Sequence, residues 1–136
     1  MDEIYKMIFK IFCIMLMFIF FDALWFSYSF TAIYIPLIRD IQGYISTNMM
    51  SKIIGGLFAW FLMAVGIVFF VLPLSNSLRE SIFYGFLFGL ILYGVYNGTN
   101  YFLFEKYTKR VFIADLLWGI IVCSIVSGIS YKFLKN

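Results

Sequence analysis

Two aspartates lie inside long apolar runs, and each is followed three residues later by tryptophan: Asp22-Ala23-Leu24-Trp25 and Asp115-Leu116-Leu117-Trp118. On a helix, positions three apart share a face, so the indole can shield the carboxyl from hydrocarbon or donate a hydrogen bond to it. A third polar group stands in Tyr96-Asn97-Gly98-Thr99-Asn100, where two asparagines repeat the same spacing. Carboxyls, amides, a phenol and indoles are groups that bind a polar ligand, hold a cation or relay a proton. The blander reading is that they hydrogen-bond across helices and fix the packing. The candidate intramembrane cluster is Asp22, Trp25, Tyr96, Asn97, Asn100, Asp115 and Trp118.

Other chemistry is excluded by what the chain lacks. It has no histidine, and its two cysteines, Cys13 and Cys123, lie in apolar runs without metal-ligand spacing. A Cys/His zinc site or a disulfide framework is therefore not expected, and both thiols read as small buried hydrophobes. No cofactor is expected. No G-x-S-x-G, H-E-x-x-H or P-loop pattern occurs, so no catalytic residue is assigned and the balance leans away from an enzyme. Asn97-Gly98-Thr99 matches the glycosylation sequon but falls within an apolar segment. The net charge of +3 is scattered, with no run of five like charges, which argues against nucleic acid and fits lipid headgroups better.

The elements that must position the cluster follow from composition. The 136 residues are 64% hydrophobic and 12% charged, with a mean hydropathy of +0.99, against about 45–50% and about 25% in soluble domains. A bilayer core about 30 Å thick needs about 20 apolar residues of helix. Four segments meet that length, about 7–30, 53–74, 82–104 and 111–131. They do not alternate as barrel strands do, so each is a helix that satisfies its own backbone. The expected fold is all-α: one membrane domain over 1–136, an antiparallel four-helix transmembrane bundle, multi-pass and integral to its membrane. An additional interfacial helix over about 35–45 is suggested by apolar residues at roughly helical spacing.

Lys6 and Lys10 precede the first segment as in a secretory signal, but the apolar stretch is too long and no small-residue cleavage site follows. Lys6, Lys10, Arg79, Lys132 and Lys135 fall on the side of the termini; Arg39, Lys52, Lys106, Lys109 and Arg110 fall on the other. The positive-inside rule returns a tie. Depth is more informative. At 1.5 Å per residue, Asn97 and Asp22 lie roughly 12 Å, and Asp115 and Asn100 roughly 7 Å, inside the boundary away from the termini. The polar groups thus collect in one leaflet. In the third segment Gly85/Gly89 and Gly94/Gly98 form two G-x-x-x-G pairs, which allow close helix approach in lipid. Packing within the bundle is the first reading of them, and a homo-oligomer contact the second.

These residues resemble a family of small four-helix membrane proteins of bacteria and some large viruses, classed as a domain of unknown function. Asp22 to Trp25 is similar to the family's D-x-x-W, Asp115 to Gly119 to its D-x-x-W-G, and Tyr96 to Asn100 to its Y-D-x-T-N with Asn97 in place of the usual acid. The resemblance covers nearly the whole chain and implies no activity. Some bacterial members are encoded beside fatty-acid-modifying enzymes, which implies a link to lipid. Three functions are thus expected: a lipid-related binding protein with a polar pocket in one leaflet and membrane lipids as partners, a proton or cation pathway in an oligomer, or an assembly protein without a ligand.

Overall fold

The computed structural model describes residues 2–135, and among these every regular element is helical. Four helices are long and apolar enough to cross a membrane: α1 (Glu3–Gln42), α2 (Met49–Leu74), α3 (Leu78–Leu103) and α4 (Lys109–Leu134). Large apolar residues remain more than half exposed around the outside, among them Phe12, Phe20, Phe58, Phe70, Ile91 and Leu117. In water such a surface would aggregate; in hydrocarbon it is solvated. The chain is a multi-pass membrane protein.

The turns between α2 and α3 and between α3 and α4 are too short to do other than reverse the chain, so sequential helices are antiparallel. α1 packs on α2 and α4, α3 forms the tightest pair with α4, and the C-terminal third of α2 closes onto α3. Both hairpins are capped by hydroxyls: Ser77 Oγ accepts from the Glu80 N–H at 3.2 Å and Thr108 Oγ1 from the Val111 N–H at 3.3 Å. Each cap satisfies an amide that the helix itself leaves unpaired. Ile14, Phe18, Ala64, Ile67, Val122, Cys123 and Val126 form a solvent-free centre on the side of the termini.

The α3–α4 contact rests on small residues. A methyl added at Gly85 would lie 2.6 Å from the Cys123 carbonyl oxygen, and one at Gly89 would lie 2.5 Å from that of Gly119. Only glycine permits that backbone approach. The second pair differs: an added methyl at Gly94 meets only Leu116 Cδ1 at 3.9 Å, and at Gly98 it meets nothing within 4 Å. Gly85 and Gly89 hold the hairpin together, while Gly94 and Gly98 lie where it has begun to open. Cys123 is buried in this seam, and Cys13 is half-buried on α1.

The first helix does not stop near residue 30. The additional helix expected over about 35–45 is not a separate element: α1 itself continues to Gln42 and ends at Gly43, whose φ of 83° makes the left-handed stop and whose N–H returns to the Arg39 carbonyl at 2.9 Å. Forty residues of helix span about 60 Å, twice the hydrocarbon thickness, so the segment with Arg39, Asp40 and Gln42 reaches past the boundary. Two wide turns interrupt the α geometry: Phe30–Tyr34 in α1 and Ile67–Val71 in α2. In each, an N–H reaches back five residues, Ile35 to Phe30 and Leu72 to Ile67. The next residue is a proline both times, Pro36 and Pro73. A proline ring crowds the carbonyl four residues before it and donates nothing to it, and widening the preceding turn by one residue relieves that crowding.

Candidate functional site

The two D-x-L-W motifs face each other across α1 and α4, with Asp22 and Asp115 only 5% and 8% exposed. The helices run in opposite directions, so the aspartate of one lies level with the tryptophan of the other. The pairing is accordingly crossed. Trp118 Nε1 donates to Asp22 Oδ1 at 2.7 Å, not to the carboxyl on its own helix. Trp25 Nε1 donates to the Tyr34 hydroxyl at 3.1 Å, and that hydroxyl donates to Asp115 Oδ1 at 2.6 Å. Between them the two indoles stack nearly parallel, 5.1 Å apart at an interplanar angle of 5°.

Each acid has a second donor. Trp60 Nε1, from α2, donates to Asp22 Oδ2 at 2.6 Å. Asn97 Nδ2, from α3, donates to Asp115 Oδ2 at 2.6 Å and shares its amide with the Tyr93 carbonyl at 2.9 Å. The Tyr107 hydroxyl, in the α3–α4 turn, donates to Asn97 Oδ1. Burial first, then the Asp115 carboxyl, push the Tyr107 phenol up to about 12, so it remains a donor through the ordinary pH range. All four helices therefore supply a polar group, and all four carboxyl oxygens are occupied by groups of the chain itself. Tyr93 wedges beside this network, its ring lying on Gly119 where a methyl would overlap it. That close approach accounts for the glycine that follows Trp118.

Of the sequence-derived set, the structure brings together Asp22, Trp25, Asn97, Asp115 and Trp118. Tyr96 and Asn100 do not join them. Tyr96 is 60% exposed, and both residues line a cleft of about 210 Å³ between the end of α1 and the end of α3. Its walls are apolar at Leu37, Ile38 and Phe104 and polar at Gln42 and Tyr107. A second cleft of about 150 Å³ opens on the other side of Leu37, against the start of α4.

Trp60, Tyr34 and Tyr107 are the members that the sequence reading missed. Trp60 is the only indole of α2, in a run over 53–74 that carries no charge, and a donor-only group in such a run is the signal that points to a buried acceptor. Tyr34 gave no signal, because nine residues of regular helix put it about 180° from Trp25. The wide turn at Phe30–Tyr34 removes about one residue's rotation, roughly 100°, and swings the phenol inward.

Residues 7–132 match the model of the family described as predicted membrane protein (DUF2177). The chain belongs to that family. No curated protein and no solved structure matches it. The family match covers all of the network's residues and both clefts; the family's description assigns them no role.

Proposed function

We propose that this family member is a lipid-binding membrane protein that seats the polar waist of one amphiphile against the end of α1 and the α3–α4 turn. The observation that carries the reading is the cleft whose apolar side, Leu37, Ile38, Ile41 and Phe104, meets hydrogen-bonding groups at Gln42, Tyr96, Asn100 and Tyr107. The amides of Gln42 and Asn100 and the Tyr96 phenol are donors at the membrane boundary that suit the ester carbonyls of a lipid, while Tyr107, whose O–H goes to Asn97, shapes the floor. The exposed apolar surface of α3 below them, with Ile91 and Val95, gives an acyl chain a path into the leaflet. The buried network belongs to the foundation rather than the binding surface: its acids have no free oxygen, and through Asn97 it holds Tyr107 at the cleft floor.

A proton pathway has less support. A relay needs groups that both accept and donate, and the indoles that serve Asp22 can only donate. Among the described residues the centre next to Asp22, with Ile14, Phe18, Ile67, Val122 and Val126, is apolar and closed, and it separates Asp22 from the buried hydroxyls of Ser81, Ser127 and Ser130 nearer the termini. The lipid reading is tested by native mass spectrometry of the detergent-solubilised protein titrated with a dioleoyl phospholipid mixture. Wild type is expected to retain one lipid saturably. Ile41→Trp, which fills the cleft with a side chain, is expected to lose at least about tenfold in retention. Wild type that retains no more lipid than a four-helix membrane protein of similar size lacking such a cleft overturns the proposal.

A further inference from the structure

The second cleft, on the α4 side of Leu37, has a different character. Asp40, from the last turns of α1, and Arg110, from the first turn of α4, both line it, together with Thr108 and the apolar Pro36, Leu37 and Val111. The two charges do not pair with each other; among the described residues the only ion pair is Lys6 with Glu3, at the far end of the molecule. An acid and a base that share a cleft at the membrane boundary without neutralising one another present opposite charges to an occupant. Arg110 also stands in the first turn of α4, which has no acid and begins with Lys109. Cations there oppose the helix dipole, so the helix gains nothing from them, whereas an anion bound beside them gains from both.

From this arrangement we infer that the cleft holds the headgroup of a zwitterionic phospholipid bearing a primary amine, its phosphate on Arg110 and Thr108 and its ammonium on Asp40. Three observations narrow the chemistry. The acid makes the cleft a poor seat for a purely anionic headgroup. No aromatic side chain lines it, so it lacks the π faces that recognise quaternary ammonium; a carboxylate reads an ammonium through its N–H donors, which choline does not have. Its volume of about 150 Å³ is below the ~300–1,000 Å³ of sites that engulf a whole ligand. It accommodates a headgroup while the remainder of the lipid crosses Leu37 to the first cleft. The inference rests on the lipid-binding reading and adds the headgroup class to it.

The test uses the full chain in detergent, titrated separately with dioleoyl phosphatidylethanolamine, phosphatidylcholine and phosphatidylglycerol and read by native mass spectrometry. Phosphatidylethanolamine is expected to be retained about tenfold more tightly than either of the others, the value of one charge-assisted hydrogen bond. Asp40→Asn should erase the preference over phosphatidylglycerol, and Arg110→Gln should weaken all three phospholipids together. Both sites are at the boundary, away from the buried network, and unchanged melting temperatures establish that the variants are folded. If wild type retains the three lipids equally, or if Asp40→Asn keeps the preference, the headgroup assignment is overturned while lipid binding at the first cleft stands. If no lipid is retained, the lipid-binding reading falls and the headgroup assignment with it.

Discussion

At the scale of single residues the two acids are not equivalent, although their motifs match. Asp22 accepts on both oxygens from indoles, which can only donate. An asparagine there would present one NH₂ to an indole N–H, donor against donor, leaving two buried groups unpaired. Asp115 accepts from a hydroxyl and an amide. The Tyr34 hydroxyl, which already accepts from Trp25, can accept from an asparagine at 115 on its second lone pair while the asparagine oxygen still takes the Asn97 amide, so one O–H rather than two buried groups loses its partner. Asp22→Asn should therefore lower the melting temperature in detergent by the equivalent of about 1–3 kcal/mol, and Asp115→Asn by clearly less. Equal losses, or the reverse order, would show that the donor sets do not govern these positions. Trp60→Phe provides a second check: it keeps most of the ring but removes one donor from Asp22, and should also destabilise. Trp25→Phe should cost less, because the stack on Trp118 survives and Tyr34 still reaches Asp115. How far the cluster was legible depends on the same details. Residue type and spacing identify the acids, their tryptophans and Asn97. They do not reveal that each indole serves the opposite motif, which is fixed by the antiparallel pairing of α1 and α4. Tyr96 and Asn100 share the polar stretch of Asn97, but the face each occupies was not decidable without knowing where α3 meets its neighbours.

At the scale of elements, the glycine pairs of α3 separate by what lies opposite them. Gly89→Leu must push α3 off the Gly119 carbonyl and should destabilise the bundle far more than Leu90→Ile at the adjacent lipid-facing position, with overpacking costing about 1–3 kcal/mol or more. Gly98→Ala meets open space and should leave the monomer's melting temperature unchanged; a large loss there would reveal a partner helix on that face. The wide turns make a different prediction. The Phe30–Tyr34 turn of α1 carries one residue beyond regular helical winding. Deleting the exposed Thr31 lets that turn close to regular geometry while Trp25 and Tyr34 keep their relative phase. Deleting Ser27, also exposed but within regular helix, rotates everything after it by about 100°. Monodisperse, folded protein is expected from the Thr31 deletion and not from the Ser27 deletion, measured by size-exclusion chromatography in one detergent. The existence and order of the four helices follow from apolar run length alone. The continuation of α1 to Gln42 does not, because charged residues in an interfacial turn read the same whether the chain bends there or runs straight. Pro36 cannot donate to a helix and crowds the preceding turn, yet the fold absorbs it by widening that turn.

For the whole molecule, the distribution of polarity decides between conduction and binding. One leaflet holds the acids and their donors, and both clefts open at its boundary. The other holds side chains such as Ile14, Phe18, Ile67, Val122 and Val126 with no exposed surface, and the bundle's tightest seam, at Gly85 and Gly89, runs through it. A conducting path must continue polar or wet across both halves. A proton arriving from the α3–α4 turn would have to pass Tyr107 and the Asn97 amide to reach Asp115, then cross two stacked indoles to Asp22; beyond that stand the apolar Ile14, Phe18 and Ile67, and no hydrogen bond links Asp22 to the buried hydroxyls of Ser81, Ser127 and Ser130. A membrane binding protein needs no such continuity, since its ligand enters sideways from the leaflet in which the polar groups lie. Proteoliposomes loaded with a pH-sensitive dye, held under a valinomycin-clamped potassium gradient, should consequently dissipate an imposed pH difference no faster than protein-free liposomes, and Asp22→Asn and Asp115→Asn should change nothing. Flux above the protein-free rate that is abolished by either substitution would mean that the apolar half opens, and would replace the binding reading with a pathway. Absence of flux together with saturable lipid retention leaves the buried network with the role its geometry supports, a rigid floor beneath a lipid site.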